Sequence, residues 1–379
     1  MKKIMVSAGE VSGDIYAAYL IKALKSLDPH LSFFGIGSER LKAEGVKIFF
    51  DITSRATVGL LEALPNLPYL YFNFKKMVAL MRQERPDLLL LVDSQGLNMP
   101  LAIEAKKLGI KTAYYIPPQE WLWGNSRNLK KVADNIDLII AIFEKEYQSY
   151  KQAGGKVVYF GHPLVDIVKP SLPKADARSL LFGSPEETYP TISLFPGSRK
   201  HEIKSLLPVL LTATSLIKQK LPRARFLVSV ASLGTTKIIS HIIDDHGPRA
   251  IIDQAYNILS LSDIALCASG TINLEASLLG IPNLMIYKLS PLTYFIGKHI
   301  LKVDKKIPFF SMPNLLLNSP VIPELTMKAA NPQRIATEAL AILNNPQRAA
   351  EMRAAFSLLK EKLGQPGVIS RCAKEILML

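Results

Sequence analysis

Short apolar runs, spaced by segments of helical periodicity, govern what this chain can fold into. In the first half, "KIMVSA" (3–8), "LSFFGI" (31–36), "VKIFF" (46–50), "LLLLV" (88–92), "KTAYYI" (111–116), "LIIAI" (138–142) and "VVYF" (157–160) all have strand length. Helical patterns such as 12–27 and 98–108 lie between them. Strand, crossover helix, strand is the repeat of a parallel sheet, whose strands are covered on both faces and read as continuous apolar runs. The rhythm breaks over 162–190, where Pro163, Pro170, Pro173, Pro185 and Pro190 punctuate mixed polarity. It resumes at "TISLFPGSRK" (191–200), with strands expected near 225–230, 249–252, 264–267 and 283–287 and helices over 331–379. The expected fold is α/β, two Rossmann-like domains with parallel sheets facing a central cleft. The boundaries read as an N-terminal domain over 1–165, a linker over 166–190, a second domain over 191–350 and a helical segment over 351–379. That last segment is expected to pack on the first domain or on a partner subunit, and a homodimer is left open.

A length of 379 residues suits two cores. Lys+Arg 46 against Asp+Glu 32 leaves a net charge of +14, which points to an anionic partner. Nucleic acid is not favoured, because no aromatic-basic motif accompanies the charge. Cys267 and Cys372 form neither a disulfide framework nor a ligand pair, which fits a reducing cytoplasm. The histidines are scattered and no D-x-D stands near a strand end, so neither a metal nor another cofactor is expected. No secretory signal and no membrane-spanning run is visible.

Each half opens with a strand followed by a small-residue turn into a helix. In "VSAGEVSGD" (6–14) the glycines are Gly9 and Gly13, a spacing that fits neither a dinucleotide fingerprint nor a phosphate-binding P-loop. Two readings stand. One is a tight turn with Ser12 capping the helix; the other is a loop where the backbone lets a ligand come close, with Glu10 reaching a hydroxyl. In "DSQGLNMP" (93–100), Asp93 follows the most apolar strand, where a carboxylate could act as general base or could cap the next helix, as could Asn98. "FPGSRKHE" (195–202) places Gly197, Ser198 and Arg199 at a helix start, a combination suited to a diphosphate. "CASGTINLEA" (267–276) repeats the device with Ser269, Gly270 and Thr271, and Glu275 one turn on could accept from a ribose diol. The stretch 58–77 is apolar through Leu60, Leu61, Leu64, Leu67, Leu70 and Phe72 and ends in Lys75 and Lys76. It suits a buried hairpin or a membrane interface.

These pieces, in this order, resemble the lipid-A-disaccharide synthase family nearly end to end. The resemblance rests on "AGEVSGD" (8–14), D-S-x-x-x-N (93–98), "PPQEWLW" (117–123), "GHPLVD" (161–166), "LFPGSR" (194–199), "ASGTINLEA" (268–276) and "MPNLLL" (312–317). It implies a GT-B glycosyltransferase, metal-independent, peripheral on the cytoplasmic face of the inner membrane. The implied reaction transfers 2,3-diacylglucosamine from UDP-2,3-diacylglucosamine to 2,3-diacylglucosamine 1-phosphate, giving the β-1,6 disaccharide 1-phosphate and UDP. Its essential aspartate falls on Asp93, with Glu10 as the other candidate base. Gly197, Ser198, Arg199, Ser269, Gly270, Thr271, Glu275 and Asn314 fall on the donor side, and Gly9, Ser12, Gly13 and Asn98 on the acceptor side. Two positions depart from the pattern: Gly96 stands where many members carry a second acid, and Gly124, not arginine, follows W-x-W. The rival enzyme is another GT-B protein acting on UDP-N-acetylglucosamine, a peptidoglycan-precursor transferase or a 2-epimerase.

Overall fold

The computed structural model of the chain describes residues 2–9, 11–50, 67–123, 126–183, 189–231, 233–243, 248–288 and 307–379. The first sheet contains β1 (Lys3–Ala8), β2 (Ser32–Ile36), β3 (Lys47–Phe50), β4 (Leu88–Val92), β5 (Lys111–Tyr115), β6 (Leu138–Ala141) and β7 (Val157–Tyr159). Its order is β3-β2-β1-β4-β5-β6-β7, and every pairing is parallel. The second sheet contains β8 (Thr191–Phe195), β9 (Arg225–Val230), β10 (Arg249–Ile252), β11 (Ile264–Ala268), β12 (Asn283–Tyr287) and β13 (Glu324–Thr326). Its order is β10-β9-β8-β11-β12-β13, again all parallel.

Parallel strands survive only when helices cover both faces, and β4 shows the consequence: all five residues of "LLLLV" are buried. Burying each such side chain contributes about 1.5–3 kcal/mol. One face of the first sheet, through Met5, Leu89, Leu91 and Tyr114, packs on Met77 and Met81 and on Leu97, Leu101 and Ala105. Those residues belong to the helices Leu67–Glu84 and Gln95–Lys107. The helix Val11–Leu27 packs on β1 and β4 and on a late helix, Val368–Leu377.

Winding reverses once in each sheet, between β1 and β4 in the first and between β8 and β11 in the second. Loops leaving the carboxyl ends of the two strands at such a point diverge and leave a crevice. Register pairs Ala8 with Val92 and Phe195 with Cys267, so Gly9 and Asp93 leave one crevice side by side. The turns after Phe195 and Ala268 leave the other.

The chain crosses between two compact units twice. One comprises Met1–Ile167 with Leu363–Leu379, the other Val168–Lys362. The proline-rich stretch expected as a linker over 166–190 contains the helix Lys174–Phe182, whose Ala177 and Leu181 enter the second unit's core beside Phe195, Leu227 and Ile258. The second unit also extends past residue 350, because Met352 and Phe356 fill its other core. The strand β13 was not foreseen; at three residues it is too short to leave a periodic signal.

The "GHPLVD" segment holds the late helix to the first unit. His162 N donates to Leu363 O at 2.7 Å. A side chain on Gly161 would sit 2.6 Å from that same carbonyl oxygen, so only glycine allows the approach. Asp166 caps the helix: its Oδ1 accepts from Gly367 N at 2.6 Å and its Oδ2 from Ile369 N at 2.9 Å. Asp166→Ala is expected to destabilise the first unit by about 1–2 kcal/mol, read as a lower urea midpoint. An unchanged midpoint would show that the cap is dispensable.

Candidate active site

At the end of β4 the backbone turns through two consecutive left-handed residues, Asp93 at φ 54° and Ser94 at φ 46°. Neither is glycine, and each costs roughly 1–2 kcal/mol in that conformation. The turn persists because hydrogen bonds over-determine it. Asp93 N donates to Tyr115 O at 3.2 Å. Its carbonyl oxygen accepts from the Tyr114 hydroxyl and from Asn98 Nδ2, both at 2.7 Å. Asn98 Nδ2 also lies 3.1 Å from Val92 O, and Asn98 Oδ1 accepts from Ser7 Oγ at 2.6 Å. Tyr114 is fully buried; burial, reinforced by the Asp93 charge, holds its phenol well above the ordinary value, so it remains a donor. The Asp93 side chain is half-buried, with Oδ1 accepting from Ser94 N at 2.8 Å.

This arrangement reassigns two residues expected on the acceptor side. Asn98 is buried beneath the turn, and its amide is occupied in holding Asp93. A Cβ on Gly13 would stand 3.1 Å from Asp93 Cβ and 3.5 Å from Val92 O. The missing side chain at 13 therefore makes room for the Asp93 turn. Asp14, beside it, ties the helix to the next loop: Oδ1 accepts from Ser38 N at 2.7 Å and Oδ2 from the Ser38 hydroxyl. Gly9 is buried at the end of β1. Glu10 and the Ser12 side chain lie outside the described residues, as do Leu60, Leu61 and Leu64 and the side chains of Leu67 and Leu70.

In the second unit the turn after β8 is built around a carboxylate. Gly197 has φ 106°, and a Cβ there would be 2.4 Å from Glu202 Oε2. Glu202 folds back from the first turn of the helix Lys200–Lys220, accepting from Arg199 Nη1 at 3.0 Å and from Arg199 N at 3.3 Å. Arg199 is half-buried and oriented by this pair, and Ser198 is half-buried beside it. An incoming anion therefore meets a guanidinium whose charge Glu202 partly balances.

The turn after β11 is more open. Ser269 N donates to Ile286 O at 3.2 Å. Gly270 adopts φ 153° and ψ −164°, a region essentially reserved for glycine, with no atom within 4 Å of an added Cβ. The helix Thr271–Leu278 starts there without a side-chain cap, so its first N–H groups keep their capacity to bind an acceptor. Thr271 Oγ1 donates to Glu275 Oε1 at 2.7 Å. Burial pushes the Glu275 carboxyl up, while hydrogen bonds from Thr271 and Tyr256 pull it down. Cys267 is fully buried and its thiol is driven far up by burial, which suits a core residue.

Asn314 stands differently from the donor-side role expected of it. It is 1% exposed, and both amide hydrogens are engaged: Nδ2 donates to Ile322 O and to Glu324 Oε1, each at 2.9 Å. Its Oδ1 accepts from Ile322 N at 2.9 Å. The side chain holds the loop before β13, with both of its amide hydrogens used there.

Several polar residues at this end of the first sheet escaped the sequence reading. Glu120 Oε1 accepts from Gln95 Nε2 at 2.7 Å and from Asn128 Nδ2 at 3.0 Å. Glu146 is fully buried, one oxygen accepting from Ile142 N at 2.7 Å, and burial raises its carboxyl to about 8. His162 is buried and pushed down to about 3, neutral, with Nδ1 accepting from Leu164 N at 3.2 Å. Tyr114 sits in "KTAYYI", an apolar run that reads as core, and nothing in the pattern marks its hydroxyl.

The chain matches known proteins over nearly its whole length. The family described as "Lipid-A-disaccharide synthetase" matches residues 4–376. The chain belongs to the lipid-A-disaccharide synthetase family. Among its relatives, the lipid-A-disaccharide synthase of Geobacter metallireducens is 36% identical, over 99% of this chain and 97% of that protein. That of Syntrophus aciditrophicus is 38% identical, over 100% and 98%. Solved structures with the same fold include a putative UDP-N-acetylglucosamine 2-epimerase from Listeria monocytogenes, with TM-score 0.65 and 13% identity over 98% of this chain and 94% of that one. The spinosyn rhamnosyltransferase SpnG has TM-score 0.62 and 12% identity over 99% and 100%. At such identities the likeness establishes a fold shared by glycosyltransferases and epimerases, and the family comes from the sequence relatives. Gly13→Ala is expected to displace the Asp93 turn and slow glycosyl transfer by about 10- to 100-fold while leaving UDP affinity unchanged. Wild-type turnover in that variant would show that the turn tolerates the methyl group.

Proposed function

We propose that this protein is a lipid-A-disaccharide synthase, transferring 2,3-diacylglucosamine from its UDP ester to the 6-hydroxyl of 2,3-diacylglucosamine 1-phosphate. The observation that carries the reading is the coincidence of a full-length family match with an aspartate held in a left-handed turn at the reversal point of the first sheet. In the proposed step Asp93 takes the proton of the 6-hydroxyl as its oxygen attacks the anomeric carbon. The bond from that carbon to UDP breaks, UDP leaves with the electron pair, and the α-linked donor becomes a β-1,6 linkage.

The residues suit these roles. Asp93 is half-buried, so its carboxylate is reachable while its backbone is fixed. Positioning of this kind and general-base assistance act together, the latter contributing about 10²–10⁴-fold. In the second unit, Arg199, the Gly197–Ser198 turn and the helix start at Gly270–Thr271 supply fixed donors for the diphosphate as its charge grows. Glu275, already hydrogen-bonded to Thr271, is placed for the ribose.

Both substrates carry acyl chains, and the first unit offers a surface that suits them. Tyr71 and Phe72, on the helix Leu67–Glu84, are 61% and 56% exposed. Lys75 Nζ lies 5.4 Å from the Tyr71 ring centre and Lys76 Nζ 4.2 Å from that of Phe72. Exposed aromatics interleaved with lysines favour an interface of anionic lipid. No helix among the described residues is long and apolar enough to cross a membrane. The protein is accordingly assigned to the surface of the inner membrane on its cytoplasmic side, where a nucleotide-sugar and an acylated acceptor meet.

The decisive assay is mass-spectrometric detection of disaccharide 1-phosphate from synthetic diacyl donor and acceptor, with unacylated UDP-N-acetylglucosamine as competitor substrate. Asp93→Asn should lower kcat by about 10²–10⁴-fold and leave UDP binding within twofold; near-normal turnover would remove Asp93 as base. Equal use of the unacylated donor would overturn the synthase reading. Replacing Tyr71 and Phe72 together by serine should weaken co-sedimentation with anionic phospholipid vesicles about tenfold, with UDP affinity retained. Unchanged vesicle binding would move the membrane contact elsewhere.

A further inference from the structure

We propose that Glu120 orients the acceptor sugar, receiving the hydroxyl next to the one that Asp93 deprotonates. The inference rests on the synthase reading and adds to it a residue with no role so far. Glu120 opens the short helix Glu120–Trp123 beyond β5, with its backbone N–H donating to Pro118 O at 2.8 Å. Gln95 lies two residues after Asp93, so the bond from Gln95 Nε2 to Glu120 Oε1 ties this carboxylate to the turn that carries the base. Asn128 Nδ2 closes on the same oxygen at 3.0 Å.

The distribution of partners is uneven. Both amide donors reach Oε1, and no described residue donates to Oε2. The side chain is only 5% exposed. Oε2 is not among the buried side-chain oxygens that lack a partner, so solvent reaches it and an arriving hydroxyl can replace that solvent. A purely structural tie between these loops would work as well with the neutral amide oxygen of glutamine. Oε2 is the oxygen left for a donor that arrives with the substrate.

The chemistry of that donor follows from the group. A carboxylate accepts and repels phosphate, so Glu120 selects a hydroxyl edge of the sugar and turns the 1-phosphate away. On the acceptor hexosamine the hydroxyl beside the attacking 6-hydroxyl is the 4-hydroxyl. The turn itself has no second acid to hold it: Gly96 is exposed, with open space around an added Cβ. Nearby groups are mostly uncharged, with Lys145 Nζ 5.7 Å from the ring centre of Trp121. The Tyr150 hydroxyl donates to Pro118 O at 2.7 Å, and Trp121 packs edge-on against Phe143.

Trp121 and Trp123 are the chain's two tryptophans, which gives a readout of acceptor binding independent of turnover. Wild-type protein, Glu120→Gln and Gln95→Ala are titrated with 2,3-diacylglucosamine 1-phosphate in detergent while tryptophan fluorescence is followed. The kinetic constants for acceptor and donor are then measured. Glu120→Gln should raise the acceptor Kd and KM by about 10- to 100-fold, with donor KM unchanged and kcat within about threefold. Gln95→Ala, which removes an exposed side chain and spares the core, should raise the acceptor constants less than tenfold. Acceptor constants within twofold of wild type in Glu120→Gln overturn the proposal, as does a fall in kcat with unchanged KM. Wild-type protein that binds the acceptor but forms no disaccharide defeats the synthase reading alone, since the Glu120→Gln binding constant still decides the role of Glu120.

Discussion

Two hydrogen bonds onto one carbonyl oxygen, from the Tyr114 hydroxyl and Asn98 Nδ2 to Asp93, hold the turn at the end of β4 in place. They add to the local bond from Ser94 N to Asp93 Oδ1 in holding the left-handed pair Asp93–Ser94, a conformation uncommon outside glycine. The requirement spreads outward. Asn98 is itself fixed by Ser7 of β1, so the strand beside β4 takes part in holding the turn. A side chain at 13 would press on Asp93 Cβ, 3.1 Å from an added Cβ. The order of the sheet matters for the same reason, because only the β1–β4 pairing brings Ser7, Gly13 and Asp93 to one end of two adjacent strands.

The second unit pairs the groups proposed to meet the donor with glutamates. Arg199 is held by Glu202, and Thr271 by Glu275. Such pairs reduce the positive potential that a diphosphate meets, yet they remove the conformational freedom that a solvent-exposed arginine would lose on binding. In the proposed reaction this tradeoff favours orientation over raw affinity, as a leaving group released after each turnover requires. Gly197 serves the pair directly, since its positive φ and bare Cα admit the Glu202 carboxylate.

Much of this architecture was legible in the sequence because a parallel sheet advertises itself. "LLLLV" and "LIIAI" can hardly be anything but doubly covered strands, and the Asp93, "PGSR" and "ASGT" turns fall at the strand ends where the pattern placed them. The failures share a cause: polarity hidden inside an apolar or neutral context. The Tyr114 hydroxyl is invisible in "AYY", and Asn314 looks like a ligand-binding amide until its three hydrogen bonds to Ile322 and Glu324 are seen. Proline content misled over 166–190, where Pro173 immediately precedes a helix that packs into a core instead of a free connection. Glycine spacing at 9 and 13 could not reveal which neighbour required the missing side chain, because that neighbour stands some eighty residues away in sequence.

The docking of residues 363–379 onto the first unit, through Asp166 and the close approach at Gly161, bears on the order in which the protein can be made. Synthesis from the amino end delivers the seven strands of the first sheet early, yet the helix that covers Val11–Leu27 is translated only after the whole second unit. Until then the first unit exposes the apolar surface that Val368, Ile369, Cys372, Ala373 and Ile376 later bury. Nascent chains therefore carry a waiting hydrophobic face through most of translation, and the second unit is free to fold first.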